Sequence, residues 1–334
     1  MFLTITIQTY NRAVGLAETV RSLTALRRPC GVDYEILVVD NNSTDDTARV
    51  IQGLSAQLGS RFRGICEPRQ GLSYARNRAI AEARGEIICF IDDDALADED
   101  WLAALAETYR ADERVVAAGG VVRLQWPEGY RRPTWLSSEL EGYLSGLDMG
   151  PHGLVMEYPH YPRGCNMSVR RCVAQKVGGF SARLGRKGPS LVSNEEKHFF
   201  YKVHQQGGRV VYVPESVVYH VIPETRLSKG FFIKRGYAQG VSDFILKLET
   251  QPLRCSLLWH LRQIATGARW SSRALLGGVG SFVTGRRRDG KLRAFVRVAH
   301  GFGYMAATVA GFGQRGPSPA NGSADPADKA TAAP

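Results

Sequence analysis

The stretch EIICFIDDDA, residues 86–95, decides the fold. Its first six positions form an apolar, β-prone run with Gly85 on one side and three aspartates on the other. A short run without polar alternation fits a strand buried on both faces, the usual state of a strand in a parallel sheet. Two further runs of this kind precede it, FLTITI at residues 2–7 and EILVV at residues 35–39. Helical spacing fills the intervals. Residues 14–26 space Leu16, Val20 and Leu23 along one face. Residues 44–58 follow Ser43 or Thr44 as an N-cap, and residues 72–83 end near Gly85 as a C-cap. Residues 98–110 read as a fourth helix, and residues 61–66 and 115–118 as short strands. Strands alternating with helices predict an α/β fold with an open, mostly parallel twisted sheet and helices on both faces.

In such a sheet ligands bind beyond the carboxyl ends of the strands. Three strand ends here carry polar clusters: Thr9-Tyr10-Asn11-Arg12, Asp40-Asn41-Asn42-Ser43 and Asp92-Asp93-Asp94. Each cluster alone suits a turn. Folding does not require all three on one sheet edge. Adjacent carboxylates repel, and a divalent cation relieves them. Hard oxygen donors select Mg²⁺ or Mn²⁺, which take few protein carboxylates and complete their shell with phosphate oxygens and water. The pattern therefore implies a diphosphate ligand. Two glycine motifs for phosphate fail on context. GRRRDGK at 285–291 has Leu292 where Ser or Thr is required, and GFGYMA at 301–306 follows no first strand.

Residues 121–160 carry Pro127, Pro133, Pro151 and Pro159 together with Trp126, Tyr130, Trp135 and Tyr143. A long irregular excursion rich in aromatics reads as a packed lid. Regular structure returns with strands near 165–169, 209–213 and 216–221 and a helix over 195–206. The chain of 334 residues is long enough for a full core, and its 6 cysteines lack metal-site spacing and fit reduced thiols. Cys165 and Cys172 read as core thiols. The net charge of +11 is unevenly placed. Residues 1–250 hold 31 basic and 29 acidic side chains, whereas residues 251–316 hold 11 basic ones and the single acid Asp289. No run of about 20 apolar residues is present, and the N-terminus has no basic stretch or cleavage site of a secretory leader. A cytoplasmic protein, peripheral on the cytoplasmic face of a membrane, is expected.

The ordered strings TYNR (9–12), VVDNNSTDDT (38–47), EPRQGLSYARNRAI (67–80), FIDDDA (90–95), RGCNMSVRR (163–171), GGF (178–180), NEE (194–196) and YHVIPETRL (219–227) resemble those of family 2 glycosyltransferases with the GT-A fold. The similarity covers roughly residues 3–240. It implies an inverting, metal-dependent transfer of sugar from a nucleotide-diphosphate donor, with a UDP-sugar favoured, to an acceptor hydroxyl. A lipid-linked saccharide in polysaccharide or glycoconjugate assembly would suit as acceptor. By resemblance, Thr9, Tyr10, Arg12, Asp40, Asn42, Arg76, Asn77, Asp92 and Asp93 hold the nucleotide sugar. Gly164, Asn166 and Met167 line the donor-sugar and acceptor site. Asp94, with Asp92 and His220, meets Mn²⁺ or Mg²⁺. The family's catalytic pair falls on Glu195-Glu196, with Glu196 at the position of the base and either glutamate able to act. Other readings remain for single residues. Ser193 and Glu196 also fit a capping box, His220 a structural histidine, and Arg76 a solvated helix residue.

The resemblance divides the chain into a nucleotide-sugar half (1–120), an acceptor and catalytic half (121–225), a basic helical extension (226–316) and a disordered tail (317–334). In the extension Arg262, Arg269 and Arg273 accompany Leu257, Leu258, Leu261, Ile264, Leu275 and Leu276. A basic helix pair with an apolar face fits an anionic membrane surface or, failing that, a dimer contact. Few stacking aromatics argue against nucleic acid, and the oligomeric state is left open. The rival functions are a sugar nucleotidyltransferase and a non-enzymatic membrane-associated protein on a degenerate fold. The first would need a basic glycine-rich loop early in the chain, which is absent.

Overall fold

The computed structural model describes residues 1–251, 257–283 and 290–311. Most of the basic turn at 285–291 and all of the tail at 317–334 lie outside them, as does the side chain of Leu257.

The first half follows the sequence pattern closely. Its elements are β1 (Phe2–Thr9), α1 (Ala13–Thr24), β2 (Asp33–Asp40), α2 (Thr47–Leu58), β3 (Phe62–Cys66), α3 (Leu72–Glu82) and β4 (Ile87–Asp92). β1 pairs in parallel with β2 and β4, and β2 with β3. Alternate residues serve opposite faces. Ile36, Val38, Ile87, Cys89 and Ile91 pack with Leu16, Val20 and Leu23 of α1 on one side. Leu37, Val39, Ile88 and Phe90 pack with Ala75 and Ala79 of α3 on the other.

The second half is mixed in direction. It runs β5 (Ala95–Ala97), α4 (Trp101–Ala111), β6 (Val115–Gln125), α5 (Ser138–Glu141), β7 (Leu154–Val155), β8 (Met167–Arg170), α6 (Arg171–Lys176), α7 (Glu195–Gln205) and β9 (Arg209–Val221). The sheet is one nine-stranded layer, ordered β3-β2-β1-β4-β8-β6-β9-β5 with β7 beside β9. β8 runs antiparallel to β4 and β6, while β6 and β9 are parallel. The two strands expected over 209–221 are one strand, bent where register shifts between Gly120 and Val121. Strand β5 was not anticipated, since three residues are too few for a pattern.

Two helix boundaries differ from expectation. Gly85 does not cap α3, whose C-cap is Ala83. A Cβ on Gly85 would lie 2.4 Å from the Thr4 amide nitrogen, so the glycine lets the chain cross β1. Helix α2 starts at Thr47, because the Asp45 carboxylate accepts from the Thr47 amide at 3.0 Å and holds residues 45–47 in a turn.

The aromatic excursion is packed. Trp126 stacks on Tyr130 with ring centroids 5.7 Å apart, and Trp135 meets Phe232 edge-on at 5.7 Å. Leu136, Leu140 and Leu144 join Phe232, Leu292 and Val296 in a separate core. This core ties the catalytic half to α8 (Lys229–Thr250) and to α10 (Gly290–Ala310), which also contacts α9 (Leu257–Val283). Helices α8 and α10 cross at backbone contact. A Cβ on Gly240 would fall 1.9 Å from the His300 carbonyl oxygen, and one on Gly303 2.0 Å from that of Tyr237. The glycines of the 301–306 motif thus serve helix crossing and not phosphate. Among the described residues, no helix is long and apolar enough to cross a membrane.

Candidate active site

Strand register assembles the first wall of the site. Thr9 pairs with Asp40, and Gln8 with Asp92, so three strand ends reach one edge. Antiparallel pairing of Ala95 with His220 then sets the histidine beside Asp94. These residues open into a cavity of about 300 Å³. Of the residues singled out in the sequence, Thr9, Tyr10, Arg12, Arg76, Asp92, Asp93, Asp94, Gly164, Glu195, Glu196 and His220 line it.

Asp93 and Asp94 are nearly buried and enclosed by cations. Thr9 Oγ1 donates to Asp93 Oδ2 at 2.7 Å. Arg12 pairs with Asp93 at 3.2 Å and with Asp94 at 3.1 Å, and Arg226 reaches Asp94 at 3.4 Å. Burial pushes the Asp94 carboxyl up, but His220, Arg226 and Arg12 outweigh it and hold it below the usual range. Burial and the neighbouring Asp94 raise Asp93.

The histidine geometry bears on a metal. His220 Nδ1 lies 2.8 Å from the Leu144 carbonyl oxygen, which can only accept, so Nδ1 carries the proton. Nε2 then turns its lone pair toward Asp94 Oδ1 at 3.2 Å and toward an Arg226 donor at 3.5 Å. Two acceptors facing each other call for a second ring proton or a cation between them. A carboxylate and an imidazole whose far nitrogen is fixed by a carbonyl fit a divalent ion. Among the described residues no group of three His, Cys, Asp or Glu side chains forms a complete cage. A diphosphate and water would have to complete the shell.

The second wall comes from the N-terminus of α7. Glu195 is 4 % exposed and accepts from Arg76 Nη1 at 2.8 Å. Arg76 is itself buried, and its other nitrogen lies 3.5 Å from Asp92, so one guanidinium spans both walls. Gly164 makes room for it, because a Cβ there would meet Arg76 Nη2 at 2.5 Å. Burial and the adjacent Glu196 raise the Glu195 carboxyl, with Arg76 opposing. Glu196 is half-buried, and its Oε2 has no hydrogen-bond partner. The capping box is not formed. Asn194 is the N-cap, in a left-handed conformation, and the Ser193 amide donates to Ser242 Oγ at 2.9 Å. The left-handed turn is held from α8, where Asp243 accepts from Asn194 Nδ2 at 2.7 Å.

Five residues assigned to the site from the sequence do not line this cavity. Asn166 is fully buried where β6, β8 and β9 meet. It accepts from Trp101 Nε1 and donates to the Val121 and Ser216 carbonyls, so it has a structural role. Met167 belongs to the apolar core. Asn77 is one step round α3 from Arg76 and clasps the Phe180 backbone through both amide atoms. Asn42 is an exposed turn residue with φ +64°. Asp40 accepts from the Ser43 amide at 3.0 Å and closes that turn. Cys172 is exposed and not in the core. The sequence reading missed Arg186, Arg226 and Arg235, which also line the cavity. Arg226 lies inside the YHVIPETRL string and could have been found there. The other two are brought in by tertiary folding alone.

Comparison with known proteins identifies the family and the fold. Residues 4–173 match the sequence profile of glycosyl transferase family 2. The glucosyl-dolichyl phosphate glucuronosyltransferase of Haloferax volcanii is 29% identical over 251 residues, 74% of this chain and 78% of that one. The succinoglycan biosynthesis protein ExoM of Rhizobium meliloti is 30% identical over 237 residues, 71% and 72% of the two chains. Among solved structures, the mannosyltransferase PcManGT of Pyrobaculum calidifontis, in complex with GDP-Man and Mn²⁺, superposes with a TM-score of 0.53 at 20% identity over 95% of this chain and 76% of that one. S. aureus TarS in complex with UDP gives 0.50 at 15% identity over 93% and 91%. The fold is thus of GT-A type, and the chain belongs to glycosyl transferase family 2 and is a glycosyltransferase.

Proposed function

We propose that this enzyme moves a sugar from a nucleotide-diphosphate donor to a hydroxyl of a lipid-linked acceptor, by one inverting displacement at an anionic membrane surface. The observation that carries the proposal is the arrangement of one cavity. A cation-ready pair, Asp94 and His220, stands on one wall, Glu196, with its Oε2 unbonded, on the other, and Arg76 spans the two. Asp94 and His220 would hold the metal ion, and the imidazole favours Mn²⁺ over Mg²⁺. When bound, the ion offsets the charge that grows on the departing diphosphate. Arg12 and Arg226 stand ready to share that charge. Glu196 takes the acceptor proton as the new bond to the anomeric carbon forms. The bond to the donor phosphate breaks, and its electron pair leaves with the nucleoside diphosphate. Glu195, fixed by Arg76, positions the first turn of α7, from which Glu196 projects.

The curated relatives support the acceptor class. One acts on glucosyl-dolichyl phosphate, and another, from Shewanella sediminis, is an undecaprenyl-phosphate 4-deoxy-4-formamido-L-arabinose transferase. The outer faces of α9 and α10 support the membrane. Leu258, Leu275, Leu276, Phe295, Phe302 and Val309 are each more than half exposed, beside exposed Arg262, Arg269 and Arg273. Phe295, Phe302 and Val309 are seven apart and share one helix face. Apolar side chains rimmed by arginine suit an interface between anionic headgroups and acyl chains.

Initial rates with a panel of UDP- and GDP-sugars, against a prenyl-diphosphate-linked saccharide, test the reaction. Product is expected only with Mn²⁺ or Mg²⁺ and with inverted configuration. Transfer in excess chelator, or retained configuration, would overturn the assignment. Flotation with phosphatidylglycerol vesicles is expected at low salt and is to be lost at high salt or in Phe302→Glu. No flotation at low salt would remove the membrane from the proposal.

A further inference from the structure

Two arginines in the cavity have no carboxylate within ion-pair distance among the described residues, although Glu195 and Asp92 act on Arg186 and Glu196 on Arg235 from further off. Arg186 lies on a loop pinned to α3. The Leu72 amide donates to its carbonyl at 2.9 Å, and Ser73 Oγ donates to the Leu184 carbonyl at 2.7 Å. Gly185, with φ +93°, supplies the turn. The Arg186 guanidinium lines the cavity and makes no hydrogen bond or ion pair among the described residues. Burial, together with Arg226 and Arg235, pushes it down to about 10. Arg235 comes from α8 and is 9% exposed. Its nitrogens donate to Ser193 Oγ at 3.0 Å and to the Leu191 carbonyl at 3.3 Å, Nε has no partner, and no carboxylate lies within ion-pair distance. Most acids around the cavity already hold a cation. Asp93 and Asp94 have Arg12, and Asp92 and Glu195 have Arg76. Two partly dehydrated guanidinium groups facing shared space form a receptor for a phosphate, whose oxygens match the planar donor fork.

We propose that Arg186 and Arg235 form a second anion subsite that takes the phosphate of a phosphate-linked acceptor. It is separate from the diphosphate site at Asp94 and His220, and it rests on the acceptor class proposed above. Two observations favour the acceptor phosphate over the donor diphosphate. Arg12 and Arg226 already attend the metal-binding aspartate, which leaves Arg186 and Arg235 without a task on that wall. Arg235 is also bonded to Ser193, two residues before Glu195, and sits on the helix against which α10 packs. A phosphate held there would have its lipid directed to the outer helices and its sugar directed to Glu196.

The full-length protein is titrated with UDP or GDP plus Mn²⁺, with inorganic phosphate and with citronellyl phosphate, a short soluble prenyl phosphate. Wild type is expected to bind citronellyl phosphate, with inorganic phosphate competing. Arg186→Gln should weaken that binding at least tenfold and raise the acceptor KM similarly, while nucleotide affinity changes less than twofold. Arg186→Lys should recover part of the loss. Arg235→Gln should act alike, but it also removes the Ser193 bond. Arg186, which has no partner to lose, therefore decides the matter. Loss of nucleotide affinity in Arg186→Gln would assign the pair to the donor and overturn the proposal. So would a wild type that binds nucleotide but not citronellyl phosphate, or an inorganic phosphate that fails to compete. A wild type that binds no nucleotide would instead bring down the transferase mechanism itself.

Discussion

Asp92–Asp94 and Glu195–Glu196 face the same cavity, yet the chain treats the two acidic clusters in opposite ways. The aspartates end a parallel strand and are answered by Arg12, Arg226 and His220. The glutamates begin a helix, and among the described residues their ion pair is that of Glu195 with Arg76, which Asp92 shares. Asp94 is accordingly held ionised, whereas Glu195 is raised by burial and by its neighbour. In the proposed reaction one cluster would exchange protein cations for a metal and a diphosphate, and the other would gain and lose a proton. Neighbouring charge, more than residue type, divides the two roles.

The largest effect should come from the residue the clusters share. Arg76→Met leaves Glu195 buried without its counter-charge, a defect of about 3–5 kcal/mol. Denaturant titration should show that loss, together with collapse of activity. A change under about 1 kcal/mol would mean that the bridge does not hold the walls together. Glu196→Gln breaks only the proton-taking side. It should lower kcat by roughly a thousandfold, within the range for removal of a general base, and leave nucleotide affinity within about twofold. Near-normal turnover would move the base to Glu195. Asp94→Asn breaks only the metal side. Mn²⁺ affinity in the presence of UDP or GDP should fall on the order of a hundredfold, with the melting temperature little changed. Unchanged affinity by calorimetry would remove Asp94 from the ligand set.

The first of these clusters was legible in the sequence and the second only in part. Strand ends announce themselves, because period-two and continuous apolar runs stop abruptly at polar residues, and parallel pairing then fixes where Thr9 and Asp92 meet. Amides carry no such label. Asn77 and Asn166 sit in family-like strings, but both are consumed by backbone groups, and only tertiary packing decides whether an amide meets ligand or carbonyl. Glu196 could be read as a cap or as a base. The cap is excluded by Ser242 on a distant helix, which takes the Ser193 amide. Arg186 and Arg235 are 49 positions apart in sequence, and no spacing rule joins them. The same holds for Gly303 of α10, which imitates a phosphate motif while serving a helix crossing.

The smallest effect concerns pH, and it tests the contrast most directly. Glu195 is raised from 4.5 to about 7 in the folded enzyme. Below that window it takes up a proton, and its bond with Arg76 weakens. The kcat/KM should therefore fall by up to about tenfold per unit as pH drops below about 7. Stability should move the other way. A carboxyl with a raised folded-state value binds protons more tightly folded than unfolded, so its contribution is fully present below about 4.5 and is lost as pH rises through about 7. The change is about 3 kcal/mol. Other groups titrate in the same range, including His198, which burial and then Lys202 lower to about 4 and which loses stability as pH falls from 6.5. Glu195→Gln isolates the effect because it cannot titrate. Its activity should be lower at pH 8 and nearly flat across the window, and its stability should no longer decline from pH 5 to pH 8 by the wild-type increment. An identical acid limb in the variant would place the proton elsewhere in the cavity, and Asp93, also raised by burial and by Asp94, would be the next residue to replace.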